Sequence, residues 1–135
     1  MYPAVRLLAL SLTFVLATWA ADLPESYRAT VGEDGVQHIQ ILGGSYFFKP
    51  RHIIVRANIP VELTVSREAG IVPHNLVIKA PAAGIDVNKD LGVTPKTITF
   101  TPTLPGHYPF YCNKKLLFFP SHREKDMEGV LEVVE

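Results

Sequence analysis

The sequence is short of three things: cysteine, charge of one sign and helical periodicity. Cys112 is the only cysteine among 135 residues. No internal disulfide can form, and a thiol standing alone is either a small buried hydrophobe or bound to something. Basic and acidic side chains number 13 each, so the net charge is zero. No cluster of Lys or Arg interleaves with aromatics to neutralise phosphates, and nucleic acid is not an expected partner. No amphipathic pattern of helical length appears, although Asp86 to Gly92 has room for one turn. Internal repeats and low-complexity segments are lacking as well. What remains is a chain of single-domain length whose apolar fraction of 47% suffices to bury a core.

The N-terminus carries Arg6, an apolar run from Leu7 to Ala20, and then Ala21-Asp22-Leu23-Pro24. This is the charged region, apolar region and small-residue cleavage site of a secretory signal, so residues 1–21 are expected to be removed near Ala20 or Ala21. An uncleaved anchor is the alternative, but the run is short for a bilayer span and Pro24 follows it closely. The folded part is expected in the periplasm, with no membrane attachment after signal removal. A free thiol that persists in an oxidising compartment is explained by metal coordination.

Residues 22–35 are polar with few apolar anchors and read as an irregular leader, leaving residues 36–135 as the domain. There the pattern becomes that of short strands. Val36 to Leu42 and Val61 to Ser66 alternate apolar and polar residues, and Arg51 to Ala57 is β-branched. His74 to Ala80, Lys96 to Thr101, His107 to Cys112 and Gly129 to Val134 continue the series. Gly43-Gly44, Asn58 to Pro60, Gly70 to Pro73, Pro81 to Gly84 and Pro102 to Gly106 punctuate them. About seven strands without helices predict an all-β fold, an antiparallel Greek-key sandwich.

One thiolate, one imidazole and one thioether, from Cys112, His122 and Met127, fall on a single loop between the last two predicted strands. His74 starts an earlier strand after a Gly- and Pro-containing turn. Taken singly, His74 reads as a strand-edge histidine, His122 as a loop residue and Met127 as a core plug. Together they include the only cysteine, and the only methionine left after signal removal. A trigonal His, Cys, His set with a weak axial Met is the ligand set of blue copper electron-transfer sites, since soft sulfur suits Cu(I) and imidazole serves both oxidation states. Zinc fits the same sulfur and nitrogen donors.

Those residues sit in segments that resemble the cupredoxin family. Pro73-His74-Asn75-Leu76 looks like its first-ligand motif, and Pro105-Gly106-His107-Tyr108-Pro109-Phe110-Tyr111-Cys112 looks like its approach to the thiolate. The spacing from His122 to Met127, closing on Gly129, matches too. Phe48-Lys49-Pro50-Arg51-His52-Ile53-Ile54-Val55 is similar to a stretch of periplasmic cupredoxin-like domains, including those of iron-uptake components. The resemblance implies one type 1 copper ion held by His74, Cys112, His122 and Met127, with Asn75 tying the ligand loops together. Backbone N–H groups near Asn113 are expected to donate to the sulfur. Two departures stand out. Nine residues separate Cys112 from His122, more than in plastocyanin-like or azurin-like carriers and closer to copper nitrite reductases. Asn58 replaces a frequent Gly, which is tolerable because Asn visits left-handed backbone angles.

A binuclear copper centre needs two cysteines on this loop, and multicopper oxidases flank the thiolate with His, where this chain has Tyr111 and Asn113. No enzyme activity is therefore expected. The leading expectation is a monomeric electron carrier exchanging with a redox protein such as a c-type cytochrome or a copper enzyme. The alternatives are a copper carrier or homeostasis protein, and an accessory metal-binding domain of an iron-uptake system. Leu116-Leu117-Phe118-Phe119-Pro120 is too apolar for an ordinary loop and reads as a lid over the site, or else as a docking patch beside His122. Lys114, Lys115, Arg123 and Lys125 can ring that patch and steer an acidic partner. His38, His52 and His107 read as structural or surface histidines.

Overall fold

The computed structural model describes residues 25–135, so the expected signal peptide over residues 1–21 lies outside the described residues. Among the described residues ten strands form two packed sheets. In chain order they are β1 (Ser26–Arg28), β2 (Gln37–Gly44), β3 (Phe47–Lys49), β4 (His52–Arg56) and β5 (Val61–Arg67), then β6 (Asn75–Ala80), β7 (Ile85–Asp90), β8 (Lys96–Phe100), β9 (Gly106–Tyr111) and β10 (Glu128–Val134). The larger sheet runs β1-β4-β10-β9-β6-β7 and the smaller β3-β2-β5-β8. Among the described residues helix is confined to two 3-10 turns, Pro81–Ala83 and Arg123–Lys125.

Alternation decides which side chains meet between the sheets. In β2, Gln37, Ile39 and Ile41 are buried while His38 and Gln40 face solvent, and β5 and β10 repeat the pattern with Val61, Leu63, Val65 and with Gly129, Leu131, Val133. Phe48 from the smaller sheet meets Phe110 from the larger one edge to face at 5.4 Å. Both are fully buried, and each such side chain contributes about 1.5–3 kcal/mol through apolar area removed from water. Gly129 makes that packing possible. A Cβ there would stand 2.3 Å from Phe110 Cζ and 2.4 Å from the Arg51 carbonyl oxygen. The core runs from Ala29 to Val133, so residues 25–135 bury a core of their own.

The strand count exceeds the expected seven, and each addition has a reason. β1 is exposed at all three residues and shows no alternation, so part of the supposedly irregular leader is in fact an edge strand on β4. β3 is only three residues long. β7 buries Ile85 and Val87 and then turns polar, and it occupies the segment that had room for a helical turn. The sheets are also mixed rather than purely antiparallel, because β1 with β4, β4 with β10 and β2 with β5 run parallel. Alternation specifies the face a residue takes and not the direction of its neighbour. The crossover through β3 and β4 returns the chain parallel to β2. Gly43 and Gly44 belong to β2 and do not break it. Asn58 takes the left-handed angle expected of it, φ 61°.

Two pairings place the site. β9 lies antiparallel to β10, with Tyr111 opposite Glu128, so residues 112–127 bridge their ends. β6 pairs with β9, with Val77 opposite Tyr111, which brings the residues before β6 to the same end. β1 and β10 both run parallel to β4 in a register that sets Ser26 and Val130 beside His52, so the described chain enters at this end and Glu135 leaves at the other.

Candidate metal centre

Three side chains from two segments converge at that end. His74 stands just before β6, Cys112 just after β9, and His122 heads the 3-10 turn Arg123–Lys125. Cys112 Sγ lies 3.4 Å from His122 Nδ1 and 4.0 Å from His74 Nδ1, and the two Nδ1 atoms are 3.1 Å apart. All three residues are buried, at 0%, 2% and 7% exposure for Cys112, His122 and His74.

The backbone fixes them. The N–H of His122 donates to the Lys114 carbonyl at 2.8 Å, and its own carbonyl accepts from Met127 at 2.9 Å. The N–H of Cys112 donates to the Met127 carbonyl at 3.1 Å, and the His74 carbonyl accepts from Leu91 at 2.9 Å. Asp126, at φ 65°, turns the chain from the 3-10 turn into β10. Met127 is thus bonded through its backbone to both loop partners. Its side chain is fully buried against β2, where a Cβ on Gly43 would stand 3.4 Å from Met127 Cε.

Electrostatics leave the pocket neutral when nothing is bound. Burial, with smaller contributions from His122 and Arg67, lowers His74 to about 4. Burial, assisted by Lys125, lowers His122 too. Burial raises the Cys112 thiol, opposed by backbone N–H groups of Asn75 and Lys114. Two neutral imidazoles whose Nδ1 atoms face each other at 3.1 Å hold at most one hydrogen between them. Nitrogens about 2.0–2.1 Å and sulfur about 2.3 Å from one borderline ion, at angles of roughly 100–130°, stand about 3.1–3.8 Å (N to N) and 3.3–4.0 Å (N to S) apart. The observed separations fall at or within these limits, so the donor set fits a single copper or zinc ion.

The Asn75 side chain bridges three segments beside the site. It is buried, and its Nδ2 donates to Asn113 Oδ1 at 2.8 Å and Asn88 Oδ1 at 3.2 Å, while its Oδ1 accepts the Asn113 N–H at 3.0 Å. β6, β7 and the Cys112 segment are joined there. The Asn113 N–H is thereby occupied, and the N–H next to it in the chain, that of Lys114, acts on the sulfur. The N–H of Asn75 itself donates to Cys112 Sγ at 3.4 Å.

The apolar loop does not form a lid. Leu117 and Phe118 are 73% and 88% exposed. The Phe119 N–H donates to the Leu116 carbonyl at 3.0 Å and Leu117 adopts φ 51°, closing a turn with its tip outward. Cover over the metal end comes instead from Tyr46, whose ring meets the His122 ring edge-on at 5.2 Å. Lys125 holds Tyr46 by lying over its ring at 4.5 Å and donating to its hydroxyl at 3.3 Å. Tyr46 sits in the β2–β3 turn, far from the ligands in sequence, where no motif points to it. Of the basic residues expected to ring the patch, Lys114 pairs with Asp90 at 2.9 Å and Arg123 with Glu128 at 3.0 Å. The other histidines lie elsewhere: His38 against Asp34 and Glu62, His52 and His107 against Glu132.

No family model and no curated protein matches the chain. Solved structures do. The metal-binding domain of the Cu(I)-exporting P-type ATPase of Streptococcus pneumoniae D39, determined with Cu(I), is 25% identical, with a TM-score of 0.62 over 84% of this chain and 99% of that one. An auracyanin from Roseiflexus castenholzii is 26% identical, with a TM-score of 0.50 over 73% of this chain and 97% of its own. Auracyanin A, a blue copper protein from Chloroflexus aurantiacus, is 22% identical, with a TM-score of 0.55 over 74% of this chain and 100% of its own. The fold is cupredoxin-like.

Proposed function

We propose that this chain is an exported mononuclear type 1 copper protein that passes single electrons between redox partners and catalyses no reaction of its own. The observation that carries the reading is the buried His74, Cys112 and His122 group, whose three donor atoms have the mutual spacing of ligands to one ion. Copper held there would carry one electron by alternating between Cu(I) and Cu(II). The chain's own part is to keep the donors fixed. Asn75 locks β6 to the Cys112 segment, and the His122–Lys114 and Met127–His122 backbone bonds lock the loop. The N–H groups of Asn75 and Lys114 stabilise negative charge on sulfur. Buried donors with little freedom to rearrange suit an electron carrier, and the buried Met127 would add a thioether to the proposed set.

The single cysteine argues against a binuclear centre, and neither neighbour of Cys112 is a histidine that could lead to a second site. A c-type cytochrome or a copper enzyme in the periplasm fits as partner. A second reading, copper holding and delivery, is favoured by the likeness to the ATPase metal-binding domain, since that domain was determined with Cu(I).

The test is the visible spectrum of the mature protein after addition of Cu(II) and then ascorbate. An intense thiolate-to-copper band that bleaches and returns on reoxidation, with copper retained throughout, is expected. Loss of copper on reduction would replace electron transfer with delivery, and a colourless protein would overturn the type 1 assignment.

A further inference from the structure

We propose that the metal end of this protein docks on an anionic lipid bilayer, inserting the apolar tips of two loops that line the clefts beside His74 and His122. The first tip is Leu116–Phe119, with exposures of 51%, 73%, 88% and 49%. The second is Ile71, 99% exposed, on the loop that lines the cleft beside His74. Phe119 and Leu116 line the cleft beside His122. The inference does not rest on the identity of the metal.

The turn chemistry is the first argument. Leu117 and Phe118 are the central residues of the turn closed by the Phe119 to Leu116 bond, positions that Gly, Asn, Asp and Pro ordinarily fill. Leu117 also holds a left-handed backbone angle that a leucine rarely adopts. The most apolar and most exposed side chains of the loop thus occupy its apex. A convex apolar tip makes a poor flat interface with another folded protein, whereas the boundary between headgroups and acyl chains closes around it.

Charge agrees. Residues 113–127 carry four basic side chains and two acidic ones. Lys114 and Arg123 have carboxylate partners, while Lys125 is bonded to the neutral Tyr46 hydroxyl, and Lys115 lies directly before the apolar run. Cations at the base of an apolar tip are placed to meet anionic headgroups once the tip is inserted.

The experiment is co-sedimentation of the chain from Ala21 onward with phosphatidylglycerol/phosphatidylcholine vesicles and with pure phosphatidylcholine vesicles, at low and high salt. Binding to the anionic vesicles that weakens with salt is expected. Leu117→Ser with Phe118→Ser should lower partitioning about a hundredfold, and Lys115→Gln with Lys125→Gln about thirtyfold. Circular dichroism would establish that both variants stay folded, as their exposure implies. Without residues 1–20 the chain has no tryptophan, Trp19 being the only one, so Phe118→Trp gives a sole emitter that should shift to the blue on anionic vesicles. Partitioning unaffected by the tip substitutions overturns the proposal. So does failure to bind either vesicle, which would assign the tips to an acidic protein surface instead.

Discussion

Replacing Asn75 by alanine isolates the clamp from the ligands it supports. The substitution removes three side-chain hydrogen bonds, two to Asn113 and one to Asn88, but keeps the backbone N–H that reaches Cys112 Sγ. At about 1 kcal/mol for each net bond, and with water able to reach exposed Asn113, the loss should be about 2–3 kcal/mol. With an unfolding slope of roughly 1–3 kcal/mol/M in urea, the midpoint should fall by roughly 0.7–3 M. The assay is urea unfolding of the copper-free protein, because a bound ion stabilises the native state and would mask the change. Asn113→Ala is the companion: it removes one acceptor and leaves the Asn113 N–H bonded to Asn75, so it should cost about 1 kcal/mol. If Asn75→Ala unfolds within about 0.5 kcal/mol of the parent, or if Asn113→Ala costs more than Asn75→Ala, the clamp does not act as described.

Other perturbations test other parts. Gly129→Ala should destabilise by about 3 kcal/mol or prevent folding, because its Cβ meets a backbone oxygen that cannot move aside; a melting temperature equal to the parent's would contradict that packing. Copper-free protein should lose stability as pH falls. The unfolded His74 takes up its proton near 6.5 and the folded one only near about 4, so the stability present above 6.5 drains away across that window and then levels off. The loss should reach about 3 kcal/mol, with His122 acting in the same direction, and unfolding free energies unchanged between pH 7 and 4.5 would refute it. Cys112→Ser should abolish the thiolate-to-copper colour. Met127→Leu should retain copper and shift the reduction potential in voltammetry, and loss of copper there would show that Met127 does more than a weak axial ligand does.

Much of the fold was legible because burial alternates with period two in β2, β5 and β10, and the sequence carries that alternation openly. Strand direction was not, since a parallel and an antiparallel neighbour present the same face pattern, and β1 and β3 are too short to show a period. At the site, Cys112 and His122 were legible from their shared loop, and His74 with Asn75 from the motif around them. Beside the sulfur, the N–H of Lys114 lies next in the chain to Asn113, where resemblance pointed, while the N–H of Asn75 was not anticipated. Tyr46 was unreadable, since its edge-on contact with His122 depends on the β2–β3 turn reaching the far side of the sandwich end. Composition left Leu116–Phe119 open between lid and exposed patch, and the turn at Leu117 sends it outward.

The parallel arrangement of β1 and β10 on β4 gives the molecule a polarity useful for wiring. Its two chain ends are not equivalent handles: the N-terminal side joins beside Arg51 and the Asp126 carbonyl, while Glu135 leaves from the opposite end of the sandwich. Immobilised on an electrode through a tag after Glu135, the protein would present its His74 and His122 end to solution. Tethered through a tag before Glu25, it would hold that end against the conductor, within reach for direct electron exchange.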